Sequence, residues 1–329
     1  MHVVAAPDKF RGTATAAEVA DAIGRAVEAA GHTCDRCPMA DGGEGTLAVL
    51  GGANRRSTVT GPLGEPVEAR WRLDRRRAVI EMAEASGLAL AGGPEGNDPV
   101  GATTTGTGEL IAEAVETGAR RVLVGVGGSA TTDGGLGALR GLYPLQRLRG
   151  IELIVACDVR TGFVDAAERF APQKGATDAQ VRLLKGRLER LADVYLEEHG
   201  VDVRQLEGAG AAGGLAGALA AVGARLDSGF DVVAEEVELF DRLEHADLVI
   251  TGEGFIDAES FDGKVVGGVV AMAGELGIPV LAIAGRCFDG VDRRVDAVSL
   301  VDRFGEERSM ADVLGCIEDV VAGHLTRAD

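Results

Sequence analysis

The sequence has little positive charge and few aromatic rings. Its 329 residues carry a formal net charge of −19, and only 4% of them are aromatic. Nucleic acid and anionic membranes repel a surface of this sign, so we predict that neither is a partner. An anionic ligand must then be held by local donors against the charge of the whole protein.

Long apolar runs and paired cysteines are also missing. The longest uncharged stretch, residues 208–224, is mostly glycine and alanine and is too weakly apolar to span a bilayer. The N-terminus has no apolar region typical of a signal peptide. The five cysteines include one C-x-x-C, at Cys34 and Cys37, with no second pair at zinc spacing. We therefore expect a cytoplasmic protein with reduced thiols and no structural zinc.

Lysine is scarce, because the chain has four lysines against twenty-nine arginines. Lys185 lies in a charged stretch that is typical of a solvated helix. Lys9, Lys174 and Lys264 instead lie beside aspartate or glycine in segments that are predicted to be loops. A compact ammonium suits phosphate as a point charge, so these three lysines are candidate ligand-binding residues. Chance retention is the alternative.

A glycine-rich stretch, residues 122–137, is the strongest local pattern. It begins with a valine-rich run that is typical of a buried strand, and it then crosses a glycine loop into a helix of small residues. This arrangement presents backbone N–H groups to an anion. The predicted phosphate-binding residues are Gly127, Gly128, Ser129 and Thr131, and Asp133 could face a metal ion. A tight turn without a ligand is the alternative.

Carboxylates and lysines recur where other predicted strands end. The segments are Asp8, Lys9 and Arg11 after strand 3–6; Asp41, Gly42, Gly43 and Glu44 after a strand near 34–39; Asp158 after strand 151–156; and Glu253, Asp257 and Lys264 after strand 248–251. Ligands of open α/β sheets bind at this edge. Phosphoryl transfer uses such groups, since carboxylates hold magnesium, glycine amides and lysines bind phosphate, and an aspartate orients the attacking hydroxyl. None of the five histidines lies in a glycine loop, which disfavours a histidine base.

Two nucleotide-binding motifs fail in their context. Residues 208–213 match G-x-G-x-x-G, but no buried strand is predicted before them, and residues 223–229 do not read as a second strand. We therefore predict a packed glycine–alanine helix and not a dinucleotide site. The segment that ends at Lys264 lacks the first glycine and the final Ser or Thr of a P-loop, having Ala258 and Val265 there.

The pattern of elements predicts two α/β domains. Residues 1–60 with 230–329 are expected to form a flavodoxin-like or Rossmann-like domain with a parallel sheet. Residues 61–229 are expected to form an inserted, smaller, mixed α/β domain. Capping boxes predict the first turns of three helices, at Thr15–Glu18, Thr177–Gln180 and Ser309–Asp312.

Eight motifs, in one order across nearly the whole chain, resemble the glycerate kinase type I family. They are residues 6–12, 39–46, 61–64, 125–135, 155–158, 172–175, 208–214 and 251–264. The resemblance implies ATP- and Mg²⁺-dependent phosphorylation of D-glycerate to 2-phosphoglycerate. It also implies that the active site lies in the cleft between the two domains. Glycerate and ATP are then the partners, and a homodimer stays open.

The resemblance and the strand-end pattern together give the candidate site. Asp158 and Lys174 are expected to be catalytic. The expected substrate-binding residues are Asp8, Lys9, Arg11, Asp41, Gly42, Gly43 and Glu44. The expected nucleotide-binding residues are Gly127, Gly128, Ser129, Thr131, Gly210, Glu253, Asp257 and Lys264, and the expected metal ligands are Asp133 and Asp158.

Three segments depart from the family pattern. Phe255 stands where the family usually has arginine, residues 143–150 form a shorter segment, and residues 158–162 lack the usual Asp-Asn-Pro-Leu. Two alternatives therefore stay open beside a glycerate kinase. One is a kinase of a related small hydroxy acid, and the other is a catalytically degenerate anion-binding protein on the same scaffold.

Overall fold

The computed structural model describes residues 1–261, 263–288, 290–291 and 294–328. The chain divides into two compact units: a first unit of residues 1–41 with 230–329, and a second unit of residues 42–229. The first boundary precedes the predicted one, because strand Arg55–Thr60 pairs with strand Pro66–Asp74 in the second unit. The second unit is therefore the longer of the two, and the prediction of a smaller second domain is wrong.

The strands within the described residues are β1 (His2–Ala5), β2 (Thr33–Arg36), β3 (Arg55–Thr60), β4 (Pro66–Asp74), β5 (Arg77–Glu81), β6 (Arg121–Gly125), β7 (Glu152–Ala156), β8 (Arg225–Asp227), β9 (Leu248–Ile256), β10 (Val280–Cys287) and β11 (Asp296–Ser299). The α-helices there are α1 (Ala16–Ala29), α2 (Thr46–Val49), α3 (Ala83–Ser86), α4 (Gly93–Gly96), α5 (Thr105–Glu116), α6 (Leu136–Gly141), α7 (Ala166–Phe170), α8 (Asp178–His199), α9 (Ala211–Ala221), α10 (Gly229–Glu236), α11 (Leu239–Leu243), α12 (Val265–Leu276), α13 (Leu300–Phe304), α14 (Glu306–Ala311) and α15 (Val313–Ala328).

The first unit is built on a five-stranded parallel sheet. Its strand order is β11-β10-β9-β1-β2, and each neighbouring pair is parallel. Counted along this unit alone, the order is 2-1-3-4-5, which is the flavodoxin-like order. Apolar residues of α1 and α15 pack on the buried strands, for example Ile23 and Ile317 with Ile250. The predicted parallel-sheet domain is confirmed.

The second unit is built on a six-stranded mixed sheet of order β3-β4-β5-β6-β7-β8. The pairs β3–β4 and β4–β5 are antiparallel, and the pairs from β5 to β8 are parallel. This arrangement confirms the predicted mixed α/β domain. It also corrects the prediction that residues 223–229 contain no strand, because β8 pairs with β7. Three residues with one apolar side chain were too short to give a strand pattern.

The predicted helix caps are confirmed at two of three positions. Thr15 with Glu18, and Thr177 with Gln180, form complete capping boxes at α1 and α8. Ser309 instead lies inside α14, where its hydroxyl donates to Gly305 O. No helix within the described part of the chain is both long and apolar enough to cross a membrane.

Candidate functional site

The loop after β1 lies at the point where the strand order of the first sheet reverses. The N–H groups of Ala6 and Asp8 donate to Ile250 O and Gly252 O of β9, both at 2.8 Å. Ligands of open α/β sheets bind outside the carboxyl ends of the strands at such a reversal. Asp8 after β1 and Glu253 in β9 therefore occupy the expected ligand-binding edge of the first unit.

Asp8, Lys9 and Asp41 form a charged cluster at this edge. Lys9 Nζ lies 3.5 Å from Asp8 Oδ1 and 3.5 Å from Asp41 Oδ1. Burial raises the pKa of Asp8 to about 6, and the carboxylate of Asp41 adds to this rise while Lys9 opposes it. Burial lowers the pKa of Lys9, but the two carboxylates outweigh it and the net shift is upward. The predicted substrate-binding residues Asp8, Lys9 and Asp41 are thus brought together.

Glu253 is a second, half-buried carboxylate of the first unit. Burial raises its pKa to about 7. A hydrogen bond with Ser260 and the charge of Lys264 oppose this rise, whereas the charges of Asp8 and Asp41 add to it. Its Oε1 is buried without a hydrogen-bond partner among the described residues. A buried acceptor without a partner is unfavourable unless a ligand or water supplies a donor. Glu253 is therefore suited to accept a hydrogen bond from a bound molecule.

Arg11 and Phe255 line a pocket of about 320 Å³ at the same edge. Phe255, the residue that departs from the family pattern, packs against Phe288 in a tilted arrangement with ring centroids 4.2 Å apart. Arg11 is exposed, as a residue that meets a ligand from solvent should be.

The two other predicted nucleotide-binding residues of the first unit have local structural roles. Asp257 Oδ1 accepts the N–H of Ser260 at 3.0 Å, which closes the turn after β9. Lys264 is the N-cap residue of α12, and its carbonyl accepts the N–H of Gly268. Neither contact excludes a ligand, and the predicted roles of both residues stay predictions.

In the second unit, the glycines at residues 42–45 fit closely against two strand ends. A side chain at Gly42 would collide with Ala156 at the end of β7, and one at Gly127 would collide with the backbone of Gly43. Glu81 fixes the segment, since its Oε1 accepts the N–H of Gly45 at 3.0 Å and that of Leu47 at 2.7 Å.

The glycine loop, residues 126–135, follows β6 as predicted. Gly128 adopts a φ of +68°, which favours glycine over any residue with a side chain. Within the described part of the chain, the N–H groups of Gly127 and Gly128 donate to no protein acceptor. Two such adjacent donors at the carboxyl end of a strand can receive an anion.

Lys174 holds this loop in place through hydrogen bonds from its ammonium group. Its Nζ donates to Ser129 Oγ at 2.7 Å and to Thr131 O at 2.6 Å. The side chain is almost fully buried, and this burial lowers its pKa to about 7, against a smaller upward effect of Asp133. Asn97 Nδ2 donates a hydrogen bond to the carbonyl oxygen of Lys174 at 2.9 Å. The predicted residues Lys174, Ser129 and Thr131 therefore form one connected group.

Asp133 is occupied by backbone and hydroxyl donors. Its Oδ2 accepts the N–H and the hydroxyl of Thr104, both at 2.8 Å, and the N–H of Gly137 at 3.2 Å. Its Oδ1 accepts the N–H of Gly135 at 3.0 Å. These contacts cap α5 and α6, so the geometry gives Asp133 a structural role, and its predicted metal role stays a prediction.

Asp158 lies where the sequence predicts it, at the carboxyl edge of the second sheet. Ala156 of β7 pairs with Gly125 of β6, so Asp158 and Gly127 each follow their paired residues by two positions. Its Oδ1 accepts the N–H of Gly229 at 2.8 Å. Neighbouring parallel strands thus place a carboxylate beside the glycine loop.

The literal G-x-G-x-x-G segment packs against that loop. Gly210 N donates to Thr161 O at 3.0 Å, and the N–H of Gly134 donates to Gly213 O at 3.0 Å. A side chain at Gly210 or Gly213 would collide with the carbonyl of Gly162 or Thr131. These glycines are explained by backbone packing, and a nucleotide contact of Gly210 stays a prediction.

Sequence reasoning missed Glu81, Asn97 and Thr104, which position the two loops of the second unit. Glu81 had a readable signal, because it is a carboxylate at the end of the apolar run 78–80. Asn97 and Thr104 gave none, since their partners are far away in the sequence. Within the described residues, no group of three or more His, Cys, Asp or Glu side chains is arranged to hold a metal ion.

Comparison with known proteins gives consistent matches. The model of the glycerate kinase family matches residues 3–143 and 144–317. The glycerate 2-kinase of Escherichia coli (strain K12) is 40% identical and aligns over 88% of this chain and 87% of its own length. The glycerate kinase of Bacillus subtilis (strain 168) is 41% identical over 87% of this chain and 85% of its own. A crystal structure described as that of a candidate glycerate kinase 2 from Salmonella typhimurium LT2 superposes with a TM-score of 0.84, at 34% identity, over 100% of this chain and 99% of that one.

Proposed function

Because the chain belongs to the glycerate kinase family, we propose that it transfers the γ-phosphoryl group of ATP to a hydroxyl of D-glycerate, giving 2-phosphoglycerate. One observation carries the proposal beyond family membership. The buried ammonium of Lys174 holds a glycine loop whose Gly127 and Gly128 N–H groups have no acceptor within the described residues.

The glycine loop is assigned to the terminal phosphates of ATP. Gly127 and Gly128 offer backbone donors that do not have to reorganise when charge develops, which is how such donors stabilise a transferring phosphoryl group. Lys174 adds a positive charge held in place by Ser129 and Thr131. A phosphate near Lys174 favours its charged form and offsets the effect of burial.

Lys9 and Arg11 are assigned to the carboxylate of the acid. Arg11 is exposed at a ligand edge, and a guanidinium can bind a carboxylate through two parallel hydrogen bonds. Lys9 is held between Asp8 and Asp41, so its ammonium is fixed in position. The Oε1 of Glu253 is buried and has no partner among the described residues, so it can accept a hydrogen bond from the substrate hydroxyl that is not phosphorylated.

Asp158 is assigned to the reacting hydroxyl. Its carboxylate accepts the proton as the hydroxyl oxygen bonds to the γ-phosphorus, and the bond from that phosphorus to the bridging oxygen breaks to release ADP. The hydrogen bond from Gly229 fixes the carboxylate at the strand end.

The described residues fit a magnesium ion that is held mainly by phosphates. Such an ion needs one or two protein carboxylates, and Asp158 is a carboxylate on the edge where the phosphates are assigned. Asp133 already accepts four hydrogen bonds. When bound, magnesium neutralises charge on the phosphates.

Turnover with a panel of acids tests the proposal. The protein is incubated with ATP, Mg²⁺ and D-glycerate, L-glycerate, glycolate or lactate, and ADP release is followed by a coupled assay. We expect release with D-glycerate, and we expect ³¹P NMR to identify 2-phosphoglycerate. Activity only with another acid supports the related hydroxy-acid kinase. No acid-dependent ADP release from folded protein supports the degenerate anion-binding alternative.

A further inference from the structure

A second pocket, of about 500 Å³, lies within the second unit and is larger than the pocket beside Arg11. It is formed by the segment before α5, by α6 and by one face of α8. Arg187, Arg190, Leu191 and Val194 of α8 share this face, because residues three and four apart on a helix are neighbours. None of the arginines of this pocket belongs to the site assigned above.

The pocket carries positive charge in a protein whose net charge is −19. Three guanidiniums line it, from Arg140, Arg187 and Arg190. Arg187 donates to Val100 O at 2.8 Å, which holds its side chain at the pocket wall. Among the residues that the structure describes, no carboxylate forms an ion pair with Arg140 or Arg190. Two guanidiniums without a carboxylate partner make this wall attractive to an anion.

A buried hydroxyl lies in the same lining. Thr132 is 1% exposed, and its Oγ1 has no hydrogen-bond partner in the described part of the chain. Buried polar atoms normally have a partner, so this one indicates a ligand or a water molecule. Asp133 is the one carboxylate in the described lining, and its oxygens are occupied by Thr104, Gly135 and Gly137.

The remaining wall is aliphatic and determines the class of ligand. Leu136, Leu191 and Val194 offer an apolar surface that inorganic phosphate or a three-carbon acid would leave uncovered. A pocket of this volume takes a drug-sized organic molecule. An organic anion with phosphates and a flat, less polar body satisfies both walls.

We propose that this pocket binds a nucleoside phosphate, with its base against the aliphatic wall, the phosphate next to the nucleoside at Arg140 and Arg190, and the terminal phosphate at the glycine loop. Thr132 and Asp133 directly follow Thr131, whose carbonyl accepts the Lys174 ammonium, so the pocket wall is continuous with the glycine loop. The inference deepens the proposed function, and it rests on that function for the choice of an adenine nucleotide.

Calorimetric titration with ADP tests the proposal without turnover. The double variant Arg140→Ala/Arg190→Ala is expected to bind ADP at least about tenfold more weakly, since it loses charge-assisted hydrogen bonds. Arg182→Ala is the matched control, because Arg182 is exposed on α8 but does not line the pocket. Wild-type affinity of the folded double variant for ADP would overturn the proposal.

Thr132→Val separates a ligand contact from a structural role. The substitution keeps the shape of the side chain and removes a hydroxyl that has no protein partner, so the Tm should stay the same or rise. We expect weaker ADP binding at this unchanged or higher Tm. A lower Tm with unchanged ADP affinity would assign the hydroxyl to the fold and count against the proposal.

Steady-state kinetics of the double variant distinguish the source of the nucleotide. A raised KM for ATP identifies the ligand as the co-substrate, whereas weakened ADP binding with an unchanged KM identifies a second, regulatory nucleotide. The two proposals also fail separately. Arginine-dependent ADP binding without glycerate turnover would refute the proposed function alone. Turnover with unchanged KM and unchanged ADP binding would refute this inference alone.

Discussion

Replacing Lys174 with methionine should change how stability depends on pH. Burial lowers the pKa of this lysine from its ordinary value of 10.5 to about 7. The unfolded chain therefore keeps the proton up to about pH 10.5, whereas the folded chain releases it near pH 7. The unfolded state binds more protons between these values, so this lysine makes stability increase with pH there. Over the two pH units from 7 to 9, the increase amounts to about 2–3 kcal/mol.

Denaturant unfolding at pH 6, 7, 8 and 9 measures this effect. From pH 6 to pH 9, wild type should gain about 2–3 kcal/mol over Lys174→Met, because other titrations cancel in the difference. Lys185→Met is the control, since Lys185 pairs with Glu168 at the surface with Nζ and Oε1 2.9 Å apart. Its curve should run parallel to that of wild type. Parallel curves for Lys174→Met as well would refute the argument that a buried ammonium titrates near neutral pH.

The same lysine should link nucleotide binding to proton uptake. A phosphate beside the ammonium raises its pKa again, so at pH 8 the complex should take up a fraction of a proton. Titration with ADP in buffers of different ionisation enthalpy measures this fraction, and Lys174→Met should abolish it. Activity of Lys174→Met should fall about 100-fold or more, as is typical when a preorganised group on the transferring charge is removed. Proton uptake equal in both proteins would contradict the assignment.

Three further predictions follow from the site. Asp158→Asn should lower kcat at least ~100-fold with little change in Tm, because the amide oxygen can still accept the Gly229 N–H but cannot take up a proton. Rescue by raised Mg²⁺ would assign the residue mainly to the metal. A near wild-type kcat would show that another residue takes up the proton. Arg11→Ala should raise KM for the acid or for ATP about tenfold or more, from the loss of a charge-assisted hydrogen bond; unchanged kinetics would make Arg11 a surface residue. Glu253→Gln should raise the Tm at pH 8 but not near pH 5. The reason is that burial raises the pKa of Glu253 to about 7, so that its charged form destabilises the folded protein above that pH. Equal changes in Tm at both pH values would contradict this.

The ligand-binding edges of the two sheets were predictable from the sequence, because the direction of each strand shows which of its ends meets the ligand. Ligands meet the carboxyl ends of parallel strands. This rule alone predicts that Gly127, after a valine-rich run, and Asp158, after an apolar run, lie at a ligand-binding edge. The structure confirms the strands and their parallel pairing, which brings both residues to one edge. Asp8 and Glu253 reach the edge of the first sheet by the same rule.

Contacts between distant segments were not predictable from local pattern. Asp133 was expected to face a metal ion because it follows a glycine loop, but its oxygens accept hydrogen bonds from Thr104, far away in the sequence. Residues 42–60 were assigned to the first domain because nothing local marks the earlier boundary. Their place follows from the pairing of β3 with β4, which is a property of the sheet.

Two glycine-rich segments of this chain look alike in sequence and act differently. Gly127 and Gly128 present N–H groups that have no acceptor in the described part of the chain. Gly213 instead adopts a φ of +66° so that its backbone can approach the carbonyl of Thr131 without a side chain between them. The second segment therefore supports the first, because Thr131 also receives the Lys174 ammonium. A glycine-rich pattern indicates that another group approaches the backbone closely. Only the fold shows whether that group is a ligand or another part of the chain.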